Sequence, residues 1–284
     1  MVAHPAEQDA QIEAVPLRHP GQWLAAAVVL VLAGLFVYGA ATNPAYRWST
    51  YADYLFDTRV LAGVGYTLAL TVLAMLIAVV LGVVLAVMRL TDNPVLRYCA
   101  WVYLWIFRGT PVYVQLVFWG LFGSIYKHID LGIPFVAEFA HINIQTLNAA
   151  FFFAVIGLGL NEAAYMAEIV RAGINSVGPG QTEASTALGM SWAQTMRRTV
   201  LPQAMRVIIP PTGNELISML KTTSLVAAVP FSLELYGRTT DISGVNFQPI
   251  PMLLVASTWY LAVTSVLMVG QHFVEKHFSR GERS

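Results

Sequence analysis

Polar residues set deep in long apolar runs are where this sequence invites chemistry. Asn161 and Glu162 interrupt the run 147–170, with Glu168 near its end. The run 203–229 carries Asn214, Glu215, Ser218, Lys221 and Thr222 at helical spacing. This stripe follows Pro210-Pro211-Thr212-Gly213, a combination that breaks or kinks a helix and frees backbone groups to line a cavity. Glu162 or Glu215 can meet an ammonium or a cationic side chain, and Lys221 or Arg108 can meet a carboxylate. Such a set suits a pathway for small charged solutes. It also suits a purely structural role, a hydrogen-bonded seam between helices, with Lys221 and Thr222 at an outer interface where lysine snorkels.

Two further segments carry unusual chemistry. Arg108-Gly109-Thr110-Pro111 interrupts the apolar run 98–122 and is expected to distort its helix. It reads equally as a gate or inter-subunit contact built on Arg108 and Thr110, and as a structural kink. The other segment is Gly173 to Trp192, far longer than the short polar turn that would join two spans. Gly178-Pro179-Gly180 is a turn signal. Thr182 is suited to cap a short helix whose first turn holds Glu183, where the helix dipole favours a carboxylate. Ala184, Ala187, Leu188 and Met190 give it a small apolar surface, and Gly189 ends it. Such a helix fits the groove of a partner, or lies in the interface with no partner at all.

The elements that position these groups follow from composition. The chain has 284 residues, 57% hydrophobic and 11% charged, where a soluble domain carries about 25% charge. Mean hydropathy is +0.62. The expected fold is an all-α polytopic membrane protein with about six spans, near 23–41, 65–88, 98–122, 147–170, 203–229 and 252–273. The first run is too long for the apolar core of a signal peptide, and Glu7, Asp9 and Glu13 precede it, so it reads as an uncleaved anchor. With both termini cytoplasmic, the inside collects Arg18, Arg89, Arg97, Arg171, Arg197, Arg198, Arg206, Lys276, Arg280 and Arg283. The outside collects Arg47, Arg59, Lys127, Lys221 and Arg238. The positive-inside rule therefore favours this orientation and puts 171–202 in the cytoplasm.

Several classes are excluded. Sixteen basic residues balance sixteen acidic ones, leaving no surplus for nucleic acid. Cys99, the single cysteine, is expected to be a small buried hydrophobe. The six histidines show no ligand spacing, so no metal site is expected. Lys127, Lys221 and Lys276 are the only lysines, and none lies in a phosphate-binding G-x-x-x-x-G-K-[ST] loop.

The 171–202 segment resembles the EAA loop of permease subunits of ATP-binding-cassette importers: E-A-A, three residues, G, nine residues, I-x-L-P. Glu183, Ala184, Gly189, Leu201 and Pro202 match. Ser185 stands where the pattern has Ala, and Thr199 where it has Ile. Flanking stretches are similar to the polar amino-acid branch of these permeases: Ala164 to Ile174, Gly180-Gln181, Ala187 to Met190, Leu201 to Ala204, Lys221 to Leu225, Phe107 to Pro111 and Gly65 to Leu68. The resemblance covers roughly 60–275.

It implies a five-helix importer core over 60–275, preceded by a tail (1–22) and an extra anchor helix (23–41) and followed by a tail (276–284). A partner ATPase dimer, carrying the ATP and magnesium that this chain does not bind, would dock on the loop through Gly180, Thr182, Glu183, Ala184, Ala187, Leu188 and Gly189. Other implied partners are a second permease, identical or homologous, an extracytoplasmic solute-binding protein and a polar or charged amino-acid substrate. The implied location is the bacterial cytoplasmic membrane. The competing reading is an ion-coupled secondary transporter using Glu162 or Glu215, which needs no docking helix. No nucleophile–base pair supports a membrane enzyme.

Overall fold

The computed structural model describes residues 20–126, 128–133, 137–143 and 149–278. Most of both expected tails, with Arg18, Lys127, Arg280 and Arg283 of the charge count, lies outside the described residues.

Two units make up the chain, 1–46 and 47–284. The first holds helix α1 (Pro20–Thr42), apolar on all sides and 23 residues long. At 1.5 Å per residue it reaches about 35 Å, enough to span a bilayer core.

The second unit is a helical bundle. Short α2 (Trp48–Leu55) leads through Asp57, whose side chain caps α3 (Thr58–Leu90) by accepting from the Arg59 amide. The hydrogen-bonded Arg59 guanidinium holds the Asp57 carboxyl below its usual range. Next come α4 (Pro94–Gly109), α5 (Val112–Gly120) and one-turn α6 (Phe122–Ile125). An antiparallel pair, β1 (His128–Ile133) and β2 (Ala137–Asn143), shifts register at Leu131/Gly132. Then follow α7 (Ala149–Asn175), α8 (Pro179–Ala187), α9 (Trp192–Thr195) and a π-helical turn, Met196–Val200. Helix α10 (Leu201–Thr222), a 3-10 stretch to Ala228, α11 (Leu235–Asn246) and α12 (Pro249–Phe278) complete the fold.

The protein is an all-α membrane protein apart from the hairpin, and among the described residues four helices are long and apolar enough to cross: α1, α3, α7 and α12. The other two expected spans differ from that description. The third is split at Thr110-Pro111 into α4 and α5, because proline supplies no amide and the preceding residue turns extended. The fifth corresponds to α10, in which polar residues take a larger share of the helix than in the four long spans. Pro210 and Pro211 do not break it. Packing against α7 and α12 holds the helix together, and Gln271 of α12 seats against Gly213 and donates to the Pro210 carbonyl at 2.7 Å. The expected burial of Cys99 is also wrong. It is exposed on α4, whose inward face is Ala100 and Leu104, and a thiol sits comfortably against lipid.

Helices α3 and α7 form the central seam. Leu70, Ala74 and Ala78 of α3 pack with Ala154, Leu158 and Met166 of α7, all buried. Small residues let the two backbones approach without a solvent-driven hydrophobic term. At Gly82 an added Cβ would lie 2.6 Å from the Met166 Cβ, and at Gly159 2.8 Å from that of Ile77. At the other end of the bundle Glu234 caps α11, accepting from the amides of Tyr236 and Gly237 and from the Tyr260 hydroxyl. Burial pushes its carboxyl up to about 7, against the pull of those donors.

The seam is testable. Gly82→Leu or Gly159→Leu is expected to cost about 1–3 kcal/mol of stability, read as a lower thermal midpoint of the detergent-purified protein. An unchanged midpoint in both would show that the helices do not meet this closely.

Candidate functional site

The polar groups converge on a cavity of about 540 Å³ between the α4–α5 break, α7 and α10. Asn161 and Glu162 stand at the middle of α7, 9% and 8% exposed. Glu215, Ser218 and Thr222 face them from α10, one stripe at i, i+3 and i+7. Arg108, Thr110 and Pro111 close the third side.

Why the break sits there is clear from its hydrogen bonds. After α4 stops at Gly109, the Phe107 and Thr110 carbonyls have no helical donor ahead of them. Buried Gln115 of α5 supplies one: the two hydrogens of its Nε2 are shared among the Phe107 carbonyl (3.0 Å), the Thr110 carbonyl (3.0 Å) and the Thr110 hydroxyl (2.7 Å). Asn161 donates to the same Phe107 carbonyl at 3.0 Å and to the Gln115 Oε1 at 3.1 Å. Thr110 donates back to the Ile106 carbonyl at 2.8 Å. Asn161 therefore braces the break, while Glu162, one residue on, stays available.

Glu162 and Glu215 line the same cavity from α7 and α10. The Glu162 Oε1 is buried and has no hydrogen-bond partner. Two neighbouring carboxyl groups with an open acceptor form a place where a cation or a hydrogen-bond donor is stabilised. Arg108 is the basic residue of the lining, and its guanidinium lies over the Tyr165 ring, 5.4 Å from the centroid.

Of the candidate residues, Arg108, Thr110, Asn161, Glu162, Glu215 and Thr222 thus line one cavity. Asn214 and Lys221 do not; they are exposed on the adjoining stripe of α10. Gln115, Tyr165 and Ser218 complete the lining or its support, and sequence reasoning missed Gln115 and Tyr165. The polar Gln115, five residues after Thr110 in an apolar run, was the available signal for the first. A larger cleft of about 1060 Å³, bounded by α3, α7, α10 and α12, is lined mainly by Val, Leu, Met and Ile and offers a polar solute little.

The 171–202 segment forms a compact helical loop. Helix α8 starts earlier than expected: Gly178 holds the cap position, Pro179 is the first helical residue, and Thr182 and Glu183 lie beyond the first turn. Proline preset for the first turn outcompetes the Thr182 cap. The end is as expected. Gly189 has φ +76°, and the Gly189 amide donates to the Thr186 carbonyl (2.9 Å) and the Met190 amide to the Ser185 carbonyl (3.1 Å). This left-handed closure favours glycine. Gly180, Thr182, Glu183, Ala184, Ala187, Leu188 and Gly189 are all exposed, Leu188 at 83%. Trp192, 74% exposed, stands beside them at the start of α9. Among the described residues, no group of three or more His, Cys, Asp or Glu side chains is placed to hold a metal ion.

Comparison with known proteins agrees with this arrangement. Residues 78–280 match the family described as binding-protein-dependent transport system inner membrane component. The arginine transport system permease protein ArgU of Corynebacterium glutamicum is 63% identical over 275 residues, 96% of this chain and 85% of that protein. The histidine/lysine/arginine/ornithine transport system permease protein HisM of Escherichia coli K12 is 35% identical over 209 residues, 72% of this chain and 83% of that protein. A crystal structure of an amino acid ABC transporter with histidines aligns at a TM-score of 0.65 and 32% identity, covering 78% of this chain and 95% of that one. Membership disfavours the ion-coupled reading. This chain belongs to the binding-protein-dependent transport system inner membrane components, the non-catalytic permease subunits of ABC transporters, in which a separate subunit hydrolyses ATP.

Proposed function

We propose that the chain is the membrane subunit of an importer for a polar amino acid with a cationic group, and that the solute passes through the cavity between α4–α5, α7 and α10. The observation that carries this is the pair of facing carboxyl groups, Glu162 and Glu215, with a buried Glu162 oxygen left open. A guanidinium or ammonium entering the cavity would satisfy both groups. The names of the relatives, arginine for ArgU and histidine, lysine, arginine and ornithine for HisM, support the same solute class.

In this reading Asn161, Thr110 and Thr222 offer further polar contacts, and Arg108 gates the cavity or meets the solute carboxylate. Asn214 and Lys221, polar and exposed on α10, are assigned to the part of the pathway completed by a second permease chain, identical or homologous. Unpaired polar groups at membrane depth call for such a partner.

Helix α8 with Gly189 is the proposed docking site of the ATPase dimer. Its exposed small residues and Leu188 form a knob, with Glu183 as the polar contact. An extracytoplasmic solute-binding protein delivers substrate to the opposite face. Six spans, both termini in the cytoplasm and α1 as an extra anchor ahead of the five-helix core complete the arrangement. The lysine and arginine distribution supports that orientation.

Two experiments test it. In proteoliposomes holding the full complex, E162Q and E215Q should each slow arginine uptake about tenfold, the range of one charge-assisted hydrogen bond, with assembly retained. Wild-type uptake in both would move the site elsewhere. Gly189→Arg forces a bulky residue into the left-handed region at the tip of the loop. It should abolish ATPase co-purification or uncouple hydrolysis from uptake, with the membrane fold intact. Unchanged ATP-driven uptake would remove the loop from the mechanism.

A further inference from the structure

The two places where this chain departs from the EAA pattern, Ser185 and Thr199, are in contact. Their hydroxyl oxygens lie 2.9 Å apart, although fourteen residues separate them. Ser185 is the single buried residue of α8, 5% exposed on a helix that otherwise faces out. Thr199 belongs to the π-helical turn that leads into α10.

The direction of the bond follows from proton counting. The Ser185 hydroxyl has one proton, and it is placed to donate to the Gln181 carbonyl at 2.8 Å. The Thr199 hydroxyl must then donate to the Ser185 Oγ. A second thread runs beside it: the Gln203 Nε2 donates to the Thr199 carbonyl (2.9 Å) and to the Gln181 Oε1 (3.3 Å). The Ser185 carbonyl meanwhile accepts the Met190 amide that closes the Gly189 turn. One residue thus ties together the body of α8, its terminal turn and the entry to α10.

We propose that the Thr199→Ser185 hydrogen bond is the joint that makes α8 move as one piece with the start of α10, replacing an alanine–isoleucine contact by a polar one. Ser185 and Thr199 are positioning residues for transport; neither touches the solute. The two substitutions are a matched pair: beside alanine the Thr199 hydroxyl would lose its acceptor, and beside isoleucine the buried Ser185 would keep the Gln181 carbonyl but lose its incoming donor. This inference rests on the docking role of α8 proposed above and specifies how the displacement leaves the loop.

The test uses the complete importer, with its ATPase and solute-binding protein, in proteoliposomes, with radiolabelled arginine as probe. The readout is arginine transported per ATP hydrolysed, together with the amount of ATPase co-purified. S185A and T199V should each lower the ratio about two- to tenfold, the range expected for one hydrogen bond. T199S, which keeps the hydroxyl, should retain the wild-type ratio. The double variant S185A/T199I, which restores the apolar pair, should recover most of the loss.

Unchanged ratios in S185A and T199V, or a double variant whose loss equals the product of the single losses, would overturn the joint. So would reduced assembly with a normal ratio in the assembled fraction, since that is a merely structural role. Gly189→Arg separates the two levels of the argument. If it leaves ATPase binding and the ratio intact, the docking role itself fails. If it uncouples while S185A and T199V do not, the joint alone fails.

Discussion

A polar group at membrane depth has no water to turn to, and the bundle is arranged around meeting that constraint. The α4–α5 break creates carbonyl groups with no helical donor. Gln115 and Asn161 answer them with three hydrogen bonds, two of which converge on Phe107, and a fourth ties Asn161 to Gln115. An apolar residue at either position would leave buried acceptors exposed to the core, at about 1–3 kcal/mol each. The break is therefore held in one geometry, and that geometry brings Arg108 and Thr110 to the cavity rim. The tight α3–α7 seam serves the same end, fixing α7 so that Asn161 reaches across.

Cavity and loop are joined by covalent structure. Helix α7 carries Glu162 at its middle and ends at Asn175, three residues before the cap of α8. Helix α10 begins where the loop ends and carries Glu215. Each carboxylate lies 13 or 14 residues from the loop, about 20 Å of helix. On the proposed function, a displacement of α8 reaches both carboxyl groups along stiff rods. The π-helical turn Met196–Val200 sits at the one point where a rod meets the loop without a glycine. Such turns recur at functional sites because the extra residue loosens the ladder.

Much of this was legible in the sequence because apolar length and polar interruption are strong signals against lipid. Glu162, Glu215 and Thr110 stand out in such a background, and Gly189 ends its helix because a left-handed residue there demands glycine. Other features were hidden for physical reasons. Pro210-Pro211 reads as a break from local rules, yet neighbours hold α10 intact through Gln271, and nothing near the prolines announces a residue sixty positions later. Asn214 and Lys221 look like members of one stripe until the three-dimensional facing of α10 separates them from Glu215, Ser218 and Thr222. The strands His128–Ile133 and Ala137–Asn143 are short, and their alternation is lost in a chain where apolar residues dominate everywhere. Ser185 and Thr199 were each visible as a departure; their contact was not, because spacing alone does not fold a loop back on itself.

The charge arithmetic of the cavity argues for the class of solute. Two carboxyl groups face each other, and the one nearby guanidinium rests on Tyr165. An anion without a positive group would bring nothing to pair with the two carboxyl groups of the lining. A neutral donor could satisfy the Glu162 oxygen but would bring no charge to the two carboxyl groups. A cationic side chain supplies both donor and charge, and a carboxylate on the same solute has Arg108 within the same lining. On the proposed function, a lining that carries both signs suits a solute that is cationic at one end and carboxylate-bearing at the other. A transport site must also release what it holds. On the proposed function, Asn161 is already committed to the brace through Phe107 and Gln115, which limits the number of strong contacts the solute must break to leave.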